Sequence, residues 1–152
     1  MPIASFPLKQ RRAIQKWLRL QGFNLNYGRS VKSDEVDFDE RCVNIRCQAQ
    51  PTITALHECG HVLIHLSRKR KPKAKIAGSS KKQFDQNPYY EVSHIHNLGE
   101  GIRVVHEEIV AWERGYELGR RLRLGITAKA YQRHVTLNVM TYVRWLAYTP
   151  SH

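Results

Sequence analysis

The five residues His57-Glu58-Cys59-Gly60-His61 constrain this chain more than any other segment. At about 100° per residue, His61 falls about 40° round from His57 and one turn along, so both imidazoles share one helix face. Glu58 lies about 100° from His57 on the same wheel. A zinc site can draw two nitrogen ligands and a general base from one helical turn spaced in this way. The flanking residues agree with a helix. His57, Glu58, His61 and His65 fill an arc of about 100°, while Ala55, Leu56, Cys59, Val62, Leu63 and Leu66 occupy the opposing side. The pattern predicts a helix over Thr52–Leu66, with Pro51 breaking the chain before it and Thr52 or Thr54 as its cap. Gly60 costs such a helix about 1 kcal/mol relative to alanine. Its presence implies that a second backbone comes close there.

A catalytic zinc takes three protein ligands and keeps one position open. The candidates for the third are Glu107, Glu108, Glu113, His65, His94, His96 and His106. Arg103–Leu124 reads as a long helix, on which Ala111, Trp112, Gly115, Gly119 and Leu122 lie within about 60° of Glu108. Glu113 and Glu117 face the other way, towards water. A carboxylate on a small, apolar face costs several kcal/mol unless it is paired, neutralised or bound to metal. Glu108 is therefore the expected third ligand, with His94 or His96, alternating on a strand, as the alternative. The Ala111, Gly115 and Gly119 stripe would let this helix pack close against the histidine helix. His65, a turn beyond His61, is expected to support the site or contact substrate. Tyr89, Tyr90, His94, His96 and His106 are the candidate oxyanion donors.

Elsewhere, Leu8–Leu20 reads as a helix that Gly22 ends. Asn24–Asp34 is rich in turn formers and reads as irregular. Glu35–Gln48 reads as a short hairpin, with Val36 and Phe38 alternating with acids and Asp39-Glu40 at the turn. Residues 68–102 show no sustained period beyond one candidate strand at Tyr89–Ile95. Gly125 is the expected left-handed cap of the long helix. Thr127 is expected to cap a last helix reaching about Ala147, with Tyr131, Val135, Asn138, Tyr142 and Trp145 inward. The expectation is one α+β domain over residues 1–152: an N-terminal helix, a short β-hairpin or small sheet, the histidine helix, a long basic insertion and two C-terminal helices.

Charge adds a neighbourhood to this chemistry. Lys+Arg number 25 and Asp+Glu 13, a net charge of +12. From Arg68 to Lys82 there are eight bases and no acid, broken by Pro72, Gly78, Ser79 and Ser80. A basic loop of this kind attracts phosphate backbones without reading sequence, which makes Arg68, Lys69, Arg70, Lys71, Lys73 and Lys75 candidate nucleic-acid contacts. The plainer reading is a solvated loop. Three cysteines, an odd number, argue against a disulfide framework and fit a reducing cytoplasm. Cys59 is expected in the core, with Cys42 and Cys47 unpaired. No apolar run of spanning length and no secretory leader are recognisable, so a cytoplasmic location is expected.

The stretch His57-Glu58-Cys59-Gly60-His61-Val62-Leu63-Ile64-His65 resembles the HExGHxxLH segment of the ImmA/IrrE metallopeptidases. In that family a hairpin precedes the histidine helix, and a later helix carries a Glu-x-x-Ala pattern whose Glu completes the zinc site. Glu108-Ile109-Val110-Ala111 matches that pattern. The following position, commonly Asn in the family, is Trp112 here, and the linker from Leu66 to His106 is longer and more basic. The resemblance covers about residues 36–124. It implies a zincin-like α+β domain that binds zinc through His57, His61 and Glu108, uses Glu58 as general base, and hydrolyses peptide bonds of a protein substrate. The basic loop could recruit an acidic or a DNA-bound protein as that substrate. Two other readings stand beside it. One is a SprT-like protease acting on DNA–protein crosslinks, which completes its site with a third histidine. The other is a non-enzymatic basic nucleic-acid-binding module with a structural or inactive metal site.

Overall fold

The computed structural model describes residues 5–70 and 98–148. Helix α1 (Leu8–Leu20) buries Ile14 and Leu18 and carries five bases and no acid. Gly22, at φ +79°, ends it. The Phe23 N–H donates to the Leu18 carbonyl at 2.9 Å and the Gly22 N–H to that of Arg19 at 3.0 Å. This paired closure, with Leu18 and Phe23 both buried, is the Schellman arrangement expected of a glycine in the left-handed region.

Three short strands follow: β1 (Asn24–Gly28), β2 (Glu35–Asp37) and β3 (Cys42–Arg46). The expected hairpin is present as β2 and β3, antiparallel with Val36 opposite Val43. Its turn is closed by Asp37, whose Oδ1 accepts the N–H groups of Asp39 at 3.0 Å and Glu40 at 2.8 Å. Strand β1 corrects the expectation of an irregular Asn24–Asp34 segment. It runs parallel to β3, pairing Leu25 with Val43 and Tyr27 with Ile45, in the order β1-β3-β2. Leu25 and Tyr27 alternate with asparagines and pack against the core, so the period of two was there beneath the turn-forming composition.

Helix α2 (Pro51–Arg70) lies at the centre, packing against α1, β2, β3 and helix α3 (Leu98–Arg121). It starts at Pro51 and runs to Arg70, past the expected end at Leu66. Proline at the first helical position lacks an N–H that would have had no helical partner anyway. Thr52 and Thr54 therefore sit inside the helix and do not cap it. The Thr52 hydroxyl donates to Gln10 Oε1 at 2.7 Å, and Thr54 Oγ1 accepts from Gln48 Nε2 at 3.0 Å. Together they tie the helix start to α1 and to the end of the sheet.

Helix α3 begins at Leu98, before the expected Arg103. Its C-terminal closure falls on Arg123, at φ +52°, and not on Gly125. The Arg123 N–H donates to the Arg120 carbonyl at 3.0 Å and the Leu124 N–H to that of Gly119 at 3.1 Å. Helix α4 (Ala128–Tyr148) starts as expected, with Thr127 Oγ1 accepting the Ala130 N–H at 3.2 Å. Tyr131 is buried, and Val135, Asn138, Tyr142 and Trp145 are half-buried along its inner side.

The expected strand at Tyr89–Ile95 and most of the basic segment lie outside the described residues. Among the described residues, no helix is long and apolar enough to cross a membrane.

Candidate metal centre

The site forms where α2 and α3 touch. A Cβ built on Gly60 would lie 1.9 Å from the Ala111 carbonyl oxygen, and one on Gly115 would lie 2.3 Å from that of Leu56. Glycine at these two positions lets the helix backbones meet, as the lone Gly60 and the small-residue stripe implied. The contact sets Glu108, one turn before Ala111, opposite the histidine stripe of α2.

Among the described residues, His57, His61 and Glu108 form the group of donors able to hold a metal ion, with ligand atoms within 4.8 Å of one another. His57 Nε2 is 3.2 Å from Glu108 Oε2, His61 Nε2 is 3.4 Å from Glu108 Oε1, and the two Nε2 atoms are 3.3 Å apart. Tetrahedral ligands bound to zinc at 2.0–2.1 Å stand about 3.3 Å from one another, so the three side chains fit that ion. His57 and His61 are each 8% exposed and Glu58 is 5% exposed. Glu58 Oε1 approaches His57 Nε2 to 4.0 Å. This is the arrangement of an HExxH zincin-like site: two histidines and a carboxylate converging, with a second carboxylate beside them.

The electrostatics follow from burial opposed by pairing. Burial alone would raise the Glu108 carboxyl, but the bonds and charges of His57 and His61 outweigh it and bring its pKa down to about 2. Burial would lower His61, but Glu108, Glu58 and Glu107 together raise it. Glu58 goes the other way from Glu108. Burial pushes its carboxyl up, His57 and His61 oppose that, and Glu108 and Asp34 add to the rise. The two carboxylates are thus driven in opposite directions, Glu108 held ionised and Glu58 made more basic.

The other sequence candidates are placed elsewhere. His65 stacks on Phe38, ring centroids 4.3 Å apart, and burial with the charges of Lys69, Arg41 and Arg68 lowers its pKa. His106, Glu113 and Glu117 are exposed. Glu107 pairs with Arg68 across the two helices. Lys69 is exposed; nothing is described of the Arg70 side chain, and Lys71, Lys73 and Lys75 lie outside the described residues. Tyr89, Tyr90, His94 and His96 do too. Cys59 is buried and Cys42 and Cys47 are unpaired, as expected.

Helix α4 supplies a residue that the oxyanion candidates omitted. Burial raises the Tyr142 phenol, as do the charges of Glu108 and Glu58 and the nearness of its hydroxyl to the Glu108 carboxylate. The inward stripe of α4 named Tyr142 as a packing residue; only the fold shows what it packs against. His134, also on α4, lies edge-on to Trp112 at 5.6 Å and is held below its usual pKa by burial and by the charge of His57. No protein-family model, curated protein or solved structure matches this chain significantly.

Proposed function

We propose that this protein is a zinc-dependent metallopeptidase of ImmA/IrrE-like type that hydrolyses peptide bonds of a protein substrate. The observation that carries the reading is the convergence of His57 Nε2, His61 Nε2 and the Glu108 carboxylate at 3.2–3.4 Å, with Glu58 beside them. These three would hold the zinc. The ion would supply Lewis acidity, polarising the scissile carbonyl and acidifying a water. Glu58, buried and made more basic by its surroundings, takes the proton of the attacking water and delivers it to the leaving amine as the C–N bond breaks. Tyr142, kept protonated and held near Glu108, is the hydroxyl donor for the oxygen that gains charge.

Glu108 as third ligand favours this reading over a SprT-like site, which would require His94 or His96. The net charge of +12 favours a substrate bound to nucleic acid, and a cytoplasmic setting is part of the proposal.

Metal content of untagged protein tests it, with wild type beside His57→Ala and Glu108→Ala. About one zinc per wild-type chain, lost in both variants, is expected. Absence of zinc from the wild type after reconstitution would sink the peptidase reading; retention in Glu108→Ala would transfer the third position to a histidine. Glu58→Gln should keep its zinc, lose roughly 10²–10⁴-fold in turnover, and trap substrate. An unchanged rate in that variant would remove Glu58 as the general base, and no turnover by either protein would leave a binding module.

A further inference from the structure

We propose that Trp112 positions His57 for metal binding, holding the imidazole against its indole face where metal sites ordinarily use a hydrogen bond. The proposal rests on the metal-site reading above. The two rings stack with centroids 3.9 Å apart and planes 21° from parallel. His57 Nδ1 is buried and, among the described residues, has no hydrogen-bond partner. A metal-ligating histidine usually donates its second ring N–H to a carboxylate, carbonyl or water, which fixes tautomer and ring plane together. Here Nε2 faces His61 and Glu108, and among the described residues nothing polar holds the other nitrogen. The indole takes over the orienting task.

Trp112 is well anchored for it. The residue is 3% exposed. Its carbonyl accepts the Tyr131 hydroxyl at 2.7 Å, and the Tyr131 ring meets the indole edge-on at 5.8 Å. Trp112 stands four residues after Glu108, on the same face of α3. One helix face thus delivers both a ligand to the ion and a wall to another ligand. The stack also favours the loaded state. An imidazole that donates its Nε2 lone pair to a cation becomes electron-poor, and the electron-rich indole face attracts it more strongly.

The test compares zinc affinity, by competition with a chromophoric chelator, for wild type, Trp112→Phe and Trp112→Met. Phenylalanine keeps a ring to stack, whereas methionine keeps bulk without a plane. The expected result is a loss of about 10–100-fold for Trp112→Met, the range for removing a residue that orients a ligand, with Trp112→Phe restoring most of it. Equal affinity in all three proteins, or equal loss in both variants, would overturn the positioning role while leaving the metal site standing. Absence of zinc binding by wild type would overturn the metal-site reading and this inference with it. If Trp112→Met fails to fold, cobalt(II) titration of the wild type decides. An indole stacked on a ligand ring must lose its emission at one equivalent, and that quenched component must be missing from Trp112→Phe. Unquenched Trp112 emission would overturn the stack.

Discussion

The carbonyl oxygen of Ala111 occupies the space that a Gly60 side chain would fill, 1.9 Å from an ideal Cβ. Because that obstacle is backbone, Gly60→Ala must separate α2 from α3. Alanine gains about 1 kcal/mol of helix propensity, and overpacking typically costs 1–3 kcal/mol, more where backbone has to move. The expected outcome is a net destabilisation of about 2 kcal/mol by urea denaturation. Zinc affinity should fall too, because Glu108 moves with α3. An unperturbed denaturation midpoint would mean that the two helices are not locked at this contact.

Tyr142 separates binding from chemistry. Tyr142→Phe removes one hydroxyl beside Glu108 and leaves all three proposed ligands in place. Loss of one oxyanion donor lowers kcat by about 10²–10³, so turnover should drop by that order while zinc stoichiometry stays at the wild-type value. Turnover within about twofold of wild type would restrict the hydroxyl to orienting Glu108.

The metal-free protein should show a stability window set by Glu108 and His61. The lowered pKa of Glu108, about 2, adds stability above its unfolded value of about 4.3 that is lost as pH falls towards 2. The raised pKa of His61 adds stability that is complete below about 6.5 and lost as pH rises through the folded value. The pair therefore contributes most between about pH 4.5 and 6.5. Urea midpoints of wild type and Glu108→Gln should differ most inside that window and converge on either side. Zinc affinity should have the opposite slope above pH 6, rising as the His61 proton is displaced more easily. A flat pH dependence of zinc binding would remove His61 as a ligand.

Arg123 closes α3 at φ +52°, a conformation that costs a side chain bearing a Cβ about 1 kcal/mol. Arg123→Gly should raise stability by about 0.5–1 kcal/mol, visible as a higher Tm with zinc affinity unchanged. A lower Tm would mean that the Arg123 side chain contributes contacts exceeding the backbone strain.

Much of the site could be read before folding. The periods of 3.6 in α2 and α3 put His57, Glu58 and His61 on one stripe and Glu108 among small residues. The clash behind Gly60 was implied by a glycine where alanine would serve a lone helix better. The β2–β3 pair was legible for the same reason, a period of two in adjacent residues. Strand β1 was not, because its partner β3 lies across the intervening β2, and Asn24, Asn26 and Gly28 carry a turn-forming composition. Nor was Arg123 legible as the α3 cap with a glycine two residues on. Sequence periodicity determines which face of an element turns inward, because that depends only on local backbone geometry. What that face meets depends on how helices pack. The indole of Trp112 lies on the ring of His57 and the hydroxyl of Tyr142 near Glu108 because α2, α3 and α4 close at one particular separation, and no single helix holds that information.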